Sequence, residues 1–141
     1  MIARKFYRGS NERAMKENEQ FRRGIALFNA RKFFEAHEVW EELWLVETEP
    51  EKTFSQGLIQ LAAAFHHHSR GNQRGTQSLL AAGLAKLERF PDGHRSLELA
   101  QLRVEAKQWV EAYSAGKELE ALKLPRIRLV ASASGKKKRG R

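Results

Sequence analysis

A histidine and a carboxylate that could act together occur one helical turn apart in the stretch Phe33–Trp44. The stretch reads FFEAHEVWEELW and predicts an α-helix. On that helix His37 and Glu41 lie on the same side, within an arc of aromatic and aliphatic residues. We therefore expect both to be buried or half-buried. A buried carboxylate is costly unless it is paired or hydrogen-bonded, so each side chain needs a partner. At a spacing of four residues, His37 and Glu41 are each other's nearest candidates.

Gln60 and His67, in the next predicted helix, are the residues that could meet this pair. Both fall on one mixed stripe of that helix. We therefore predict an internal polar cluster of His37, Glu41, Gln60 and His67, with Glu38 at its charged edge. Such a network would fix the register of the helices, and removal of His37 would cost a few kcal/mol because Glu41 would lose its partner.

The same residues support an alternative hypothesis, a metal-dependent, hydrolase-like enzyme. Imidazole and carboxylate groups are ligands of zinc and iron, and three protein ligands leave one position open for catalysis. His37, Glu41 and His67 would hold the divalent metal, with Gln60 beside them. We favour the hydrogen-bonded network and predict no cofactor, because buried polar groups are normally satisfied by one another.

Three other metal patterns in the sequence are weaker. The segment 37–41, HEVWE, resembles a zinc-peptidase helix in which Glu replaces the second His, so one ligand is missing. A di-iron bundle needs Glu-x-x-His on two helices, and this spacing does not occur. The run His66, His67, His68 splays by about 100° per residue on a helix, so it cannot chelate one ion. The sequence leaves open which of the three faces the core.

Charge is distributed unevenly along the chain, whose formal net charge is +9. Residues 1–32 carry nine Lys/Arg against three Glu, residues 33–54 carry one Lys against seven Glu, and residues 125–141 carry seven Lys/Arg and no acid. A basic tail attracts phosphate independently of sequence, so a nucleic-acid-associated protein is a further alternative. Its contacts would be Lys136, Lys137, Lys138, Arg139 and Arg141. The tail lacks the interleaved aromatics that stack on bases.

The hydrophobic periodicity predicts an all-α fold, a compact bundle of five to six helices with residues 33–47 as one central, enclosed helix. A length of 141 residues fits one domain. We expect a flexible basic arm over 1–11, a helical bundle over 12–124 and a disordered basic tail over 125–141. Thr48 and Glu51 predict the start of the third helix through a capping box.

Location is predicted from what the chain lacks. There is no Cys, which excludes a disulfide framework and thiol catalysis. The first residues, MIARKFYRGS, have no apolar run typical of a secretory signal. No stretch is apolar for the length needed to cross a bilayer. We predict a cytoplasmic protein with no membrane span.

A series of short motifs occurs in a fixed order between residues 21 and 90. They are Phe28-Asn29, Phe34-Glu35-Ala36-His37-Glu38 with Glu41 and Trp44, Gly57-Leu58-Ile59-Gln60, Phe65 to His67, Arg70-Gly71-Asn72, and the Gly75 to Leu87 pattern. In combination they resemble a bacterial family catalogued as domain of unknown function 309. The resemblance implies a helical bundle with one helix enclosed by the others, and it implies no established activity. The family's usual aromatic before the third-helix histidine is replaced here by His66.

Together these observations predict a non-enzymatic interaction module rather than an enzyme. Its partner would be another protein or a second copy of the chain, and nucleic acid is the alternative partner through the tail. The metal-dependent enzyme stays the alternative activity.

Overall fold

Consecutive α-helices joined by short turns build this protein. The computed structural model describes residues 2–131, with side chains from Asn11 onward. The helices in this part are α1 (Ile2–Asn29), α2 (Phe33–Val46), α3 (Glu51–Ser69), α4 (Gln73–Leu87) and α5 (Leu99–Ala115), with a 3-10 turn at His94–Ser96 before α5. The predicted all-α bundle is confirmed.

The most deeply buried helix is α3, not α2. Nine of the nineteen α3 residues are buried, against four of fourteen in α2. The most extensive helix contacts join α3 to both α2 and α4. Our prediction that the 33–47 helix is the enclosed one is wrong, because Phe34, Leu45 and Val46 on it are 47%, 66% and 64% exposed.

Aromatic rings from four helices meet at Phe65, in the middle of the core. Its ring contacts Phe28 of α1 at 6.3 Å, Phe33 of α2 at 5.5 Å and Trp109 of α5 at 5.2 Å between centroids. All four side chains are at most 6% exposed. Edge-to-face and tilted ring pairs add to the stabilisation that burial provides, so these rings hold α1, α2, α3 and α5 together.

The start of α3 differs in detail from the predicted capping box. The carboxylate of Glu49, rather than Thr48 or Glu51, accepts hydrogen bonds from the Thr53 backbone N–H at 3.0 Å and from the Thr53 hydroxyl at 2.6 Å. A carboxylate at this end satisfies one of the free N–H groups of the first turn. Glu51 instead contacts His94 of the 3-10 turn before α5, with 3.2 Å between Glu51 Oε1 and His94 Nε2.

Both ends of the described chain differ from the predicted arm and tail. Helix α1 begins at Ile2, so residues 2–11 of the segment expected to form a loose arm are helical. Residues 125–131 pack against the bundle: Pro125 and Ile127 are buried, and Leu129 forms an antiparallel bridge with Leu97. The disorder predicted from residue 125 is therefore wrong for 125–131. The remainder of that predicted tail, 132–141, lies outside the described residues.

The last described residues are fixed by one side chain of α1. Asn29 donates through Nδ2 to the Ile127 carbonyl oxygen at 2.9 Å, and its Oδ1 accepts from the Ile127 N–H at 2.8 Å. The amide thus pairs with the backbone as a neighbouring strand would. This segment also bonds residues 96–98, through Glu98 N–H to Arg128 O and Val130 N–H to Ser96 O, both at 2.8 Å.

Among the described residues, no helix has the combination of length and apolar character that would let it cross a membrane.

Candidate functional site: the groove around Trp44

The structure places His37 and Glu41 on one side of α2, as predicted, but it does not bury both. The His37 side chain is 25% exposed and the Glu41 side chain is 54% exposed. His37 Nε2 lies 3.9 Å from Glu41 Oε2, which is too long for a hydrogen bond. His37 is thus half-buried and Glu41 is exposed, because the helix face that carries Glu41 borders a groove rather than the core.

The predicted metal ligands are not gathered by this fold. His67 Nδ1 lies 3.0 Å from the Asn72 amide, at the far end of α3. Within residues 11–131, where side chains are described, no three His, Asp or Glu residues are placed to hold one metal ion. The triad of His37, Glu41 and His67 therefore does not form a metal centre in this structure.

Gln60 and Glu38, the other members of the predicted cluster, have different environments. Glu38 is exposed on α2. Gln60 is half-buried on α3, and its Oε1 is buried without a hydrogen-bond partner among the described residues. His37 Nδ1 has the same status. The closed, fully paired network expected for these side chains is therefore absent from the described part of the chain.

Of the three consecutive histidines, His68 makes the contacts that tie α3 to α5. Its Nδ1 lies 2.6 Å from the Tyr113 hydroxyl, and its ring packs edge-on against Trp109 at 4.9 Å. His66 packs against Phe34 at 5.2 Å. Each side chain points in a different direction, as the helical spacing predicts.

A groove lies between α2, α3 and α4, next to the polar stripe of His37 and Gln60. It has a volume of ≈ 440 Å³ and is lined by Glu41 and Trp44 of α2, Glu49 of the connecting turn, Lys52, Thr53, Gln56 and Ile59 of α3, and Lys86 of α4. We call it the Trp44 groove. His37 and Gln60, which carry the two unpaired atoms, lie one helical turn from Glu41 and Gln56 and on the same helix faces.

The wall of the Trp44 groove already holds a cation. Lys52 Nζ lies 4.3 Å from the centroid of the Trp44 ring. A cation over an indole face is attracted by the ring quadrupole, and the attraction grows where water is excluded. Trp44 is half-buried, in contrast to Trp40 one turn earlier, which is fully buried. The exposed part of this indole is thus available on the groove side.

Electrostatics keep the carboxylate at the groove's end ionised. The hydrogen bond from the Thr53 hydroxyl, helped by the Thr53 N–H, lowers the pKa of Glu49 below its usual range. Arg89 and Lys52 lower this pKa further through their charges. Glu49 therefore keeps its negative charge to a lower pH than an unperturbed glutamate and can pair with a cation in the groove.

A second polar cluster was not found from the sequence. The Arg95 guanidinium lies 2.7 Å from Glu47, whose side chain is only 6% exposed, and it stacks over the Phe21 ring at 4.1 Å. Glu51 and His94 complete the cluster. Charged residues in turns are normally exposed to solvent. The sequence around Arg95 and Glu47 therefore does not indicate that this ion pair is buried.

Fold and site together define a small all-α bundle with a surface groove, an architecture that carries no reaction by itself. Within that class, residues 21–79 match the family model described as Domain of unknown function (DUF309). The resemblance noted from the sequence motifs is confirmed by this match. The matched segment includes all of α2 and α3, and hence every residue of the Trp44 groove except Lys86.

Two bacterial proteins are similar to this chain over about three fifths of its length. An uncharacterized protein of Aquifex aeolicus (strain VF5) is 30% identical over 89 residues, which are 62% of this chain and 27% of the relative. The uncharacterized protein YpuF of Bacillus subtilis (strain 168) is 36% identical over 92 residues, which are 59% of this chain and 53% of the relative. The alignments thus span about a quarter and about half of the length of these relatives.

Proposed function

We propose that this chain is a non-enzymatic interaction module that binds a basic segment of a partner protein in the Trp44 groove. The observation that supports this most directly is the Lys52 ammonium over the Trp44 ring. Lys52 occupies the position that a lysine or arginine of a partner would take. We propose that the partner's cation displaces Lys52 and pairs with the carboxylates on either side.

The charges around the groove favour a basic partner. The Glu41 side chain is more than half exposed, and the lowered pKa of Glu49 favours its ionised form, so two carboxylates are accessible to a partner. The lining carries two carboxylates, Glu41 and Glu49, and two lysines, Lys52 and Lys86. Once Lys52 is displaced, the carboxylates outnumber the remaining lysine, which favours a cationic group in the groove.

The partner's cation would find an aromatic face, two carboxylates and the Gln56 side chain in one groove. This combination is typical of pockets that recognise a cationic side chain within a peptide. The cytoplasmic location predicted from the sequence is part of the same proposal. The nucleic-acid alternative rests on Lys136, Lys137, Lys138, Arg139 and Arg141, which lie outside the described residues.

Fluorescence anisotropy of a labelled peptide of alternating Arg and Ser, titrated with the full chain, tests the proposal. Trp44→Leu should weaken binding roughly tenfold, because the aromatic face is lost. Lys52→Met should strengthen binding several-fold, since it removes the competing ammonium and keeps the aliphatic stem. Lys107→Met, at an exposed position on α5, changes the net charge equally and is the matched control.

Opposite results would exclude this function. If Lys52→Met weakens binding of the Arg–Ser peptide, Lys52 does not compete for the site. If a Glu–Ser peptide binds the wild type and loses affinity in Lys52→Met, the groove recognises anions through its lysines.

A further inference from the structure

The structure has a second groove, separate from the Trp44 groove. It lies between the C-terminal half of α1 and residues 126–129 and has a volume of ≈ 690 Å³. Its lining includes Arg22, Arg126 and Arg128 and no carboxylate. We call it the arginine groove. It shares no lining residue with the Trp44 groove.

The three guanidinium groups are not equally engaged. Arg128 Nη1 lies 3.1 Å from Glu105 Oε2, so this side chain is fixed in position. Arg22 and Arg126 are exposed and make no ion pair with any other residue whose side chain is described. Two uncompensated positive charges therefore face the groove, which gives it a positive potential and a preference for an anionic ligand.

The floor of the arginine groove is aliphatic. Ile25 and Ala26 of α1 and Ala30 of the following turn line one side, and Ile127 and Leu129 line the other. No aromatic side chain is among the lining residues. Single-stranded nucleic acid is normally held by bases stacked on aromatic rings. An apolar floor under arginines is better matched by a chain that alternates apolar and acidic side chains.

The backbone of Leu129 offers a hydrogen-bond donor and an acceptor to a ligand. Leu129 pairs with Leu97, and the hydrogen bonds of this pairing are made by the neighbouring Arg128 O and Val130 N–H. The N–H and C=O of Leu129 itself therefore point away from residues 96–98. Neither group of Leu129 bonds another described residue. Two residues earlier, the same side of the strand is occupied by Asn29. An extended peptide could continue that pairing from Leu129 onward.

We propose that the arginine groove binds an extended acidic peptide segment of another protein. Carboxylates of the segment pair with Arg22 and Arg126, its apolar side chains cover Ile25 and Leu129, and its backbone bonds Leu129. This proposal does not depend on the Trp44 groove, since it concerns different residues and a ligand of opposite charge.

The test uses the full chain and two labelled probes, a short peptide of alternating Glu and Val and a thymidine oligonucleotide of similar charge. The wild type should bind the Glu–Val peptide with an affinity that falls as salt is raised. The double variant Arg22→Glu, Arg126→Glu should bind it at least roughly tenfold more weakly. It should also gain affinity for a Lys–Val peptide, which a merely unfolded variant would not do.

Two control variants separate the groove from general charge. Arg70→Glu with Arg74→Glu makes the same charge change at exposed positions near the α3–α4 turn and should leave binding unchanged. Replacement of Lys136, Lys137, Lys138, Arg139 and Arg141 by Ser should keep most of the binding. Unchanged affinity in the Arg22/Arg126 variant, or loss of binding in the Ser variant alone, would overturn the proposal. So would tighter binding of the oligonucleotide through Arg22 and Arg126, because the ligand would then be nucleic acid.

Discussion

Two tryptophans one turn apart on α2 have different surroundings. Where α2 packs on α1, Trp40 is fully buried, and its Nε1 donates to the Phe21 carbonyl at 3.0 Å. One turn further along, Trp44 packs against the edge of the core but is only half-buried, beside an open groove in which Lys52 lies over its ring. The α1 side of α2 is complete within the chain, whereas the groove side still has accessible aromatic surface.

This difference separates residues that hold the fold from residues that are available for recognition. Stability depends on buried, paired and closely packed groups. Substitutions on the α1 side of α2, and in the turns joined to it, should therefore reduce the free energy of unfolding. Substitutions on the groove side should change stability little and binding strongly.

The largest effect is expected for Gly24→Ala. A Cβ on Gly24 would lie 2.0 Å from Trp40 Nε1, so the indole must move and lose its hydrogen bond to Phe21. We expect a loss of about 3–5 kcal/mol in chemical denaturation, from overpacking and the broken bond together. In a double-mutant cycle with Trp40→Phe, the two changes should couple strongly. Additive effects would show that the indole does not pack on Gly24.

Arg95→Ala should be the next most damaging change. It leaves the carboxylate of Glu47 almost fully buried without its 2.7 Å partner, and breaking such a pair costs about 3 kcal/mol. The double variant with Glu47→Gln should recover part of this loss, because no buried charge remains. Thermal unfolding of both variants measures these losses. A larger loss of stability in the double variant than in Arg95→Ala would show that the unpaired charge of Glu47 is not the cause.

Asn29→Ala tests how firmly the C-terminal segment is held. The substitution removes two hydrogen bonds to Ile127, and the N–H of Ile127, which is buried, would have no partner. We expect a loss of about 1–3 kcal/mol. Asn18→Ala, at an exposed position of the same helix, is the control and should be nearly neutral.

Glu105 should make stability depend on pH. Burial alone would raise its pKa, but hydrogen bonds from Gln101, the Arg126 N–H and Arg128 outweigh this and lower the pKa of Glu105. A lowered pKa stabilises the fold above the unfolded value, about 4.3, and this stabilisation disappears as pH falls through the folded value.

Glu105→Gln should therefore cost about 1 kcal/mol at neutral pH, and its difference from the wild type should shrink as the solution is acidified. Denaturation at several pH values measures this. A difference that stays constant from neutral to acidic pH would show that the carboxylate charge has no role.

The smallest effect is expected for His37→Ala. Its Nδ1 already lacks a partner among the described residues, and Glu41 remains solvated when the imidazole is removed. The loss is limited to packing against Phe34 and should stay below about 1 kcal/mol. This replaces the larger cost expected when Glu41 was assumed to be buried. A loss of several kcal/mol would restore the hypothesis of an internal His–Glu network.

Local patterns predicted the helices well because apolar spacing and turn residues act within a few positions. Gly71 illustrates this: it has a positive φ of 76° and ends α3 as expected. The error for α2 arose because a helix so rich in apolar residues was expected to have neighbours on most sides, whereas Leu45 and Val46 are exposed. An exposed leucine is common, and only the positions of α1 and α3 decide which arc of α2 is covered.

The features missed from the sequence all involve partners distant along the chain. Asn29 and Ile127 are 98 positions apart, and Arg95 and Glu47 are 48 apart. No spacing rule connects such residues, and a basic C-terminal stretch by itself resembles a solvated tail. The Trp44 groove was anticipated only in part: Glu41 was named, whereas Trp44 was assigned to the packed arc.

The bond between Asn29 and Ile127 also bears on the order in which the chain assembles. The most extensive helix contacts join consecutive helices, so each helix can pack on its predecessor while the rest is still being synthesised. Residues 126–130 join only afterwards, when they reach Asn29 and Leu97. Because this segment forms one wall of the arginine groove, a nascent chain that lacks it has no such groove. Binding there would distinguish molecules in which residues 126–130 have packed against α1 from those in which they have not.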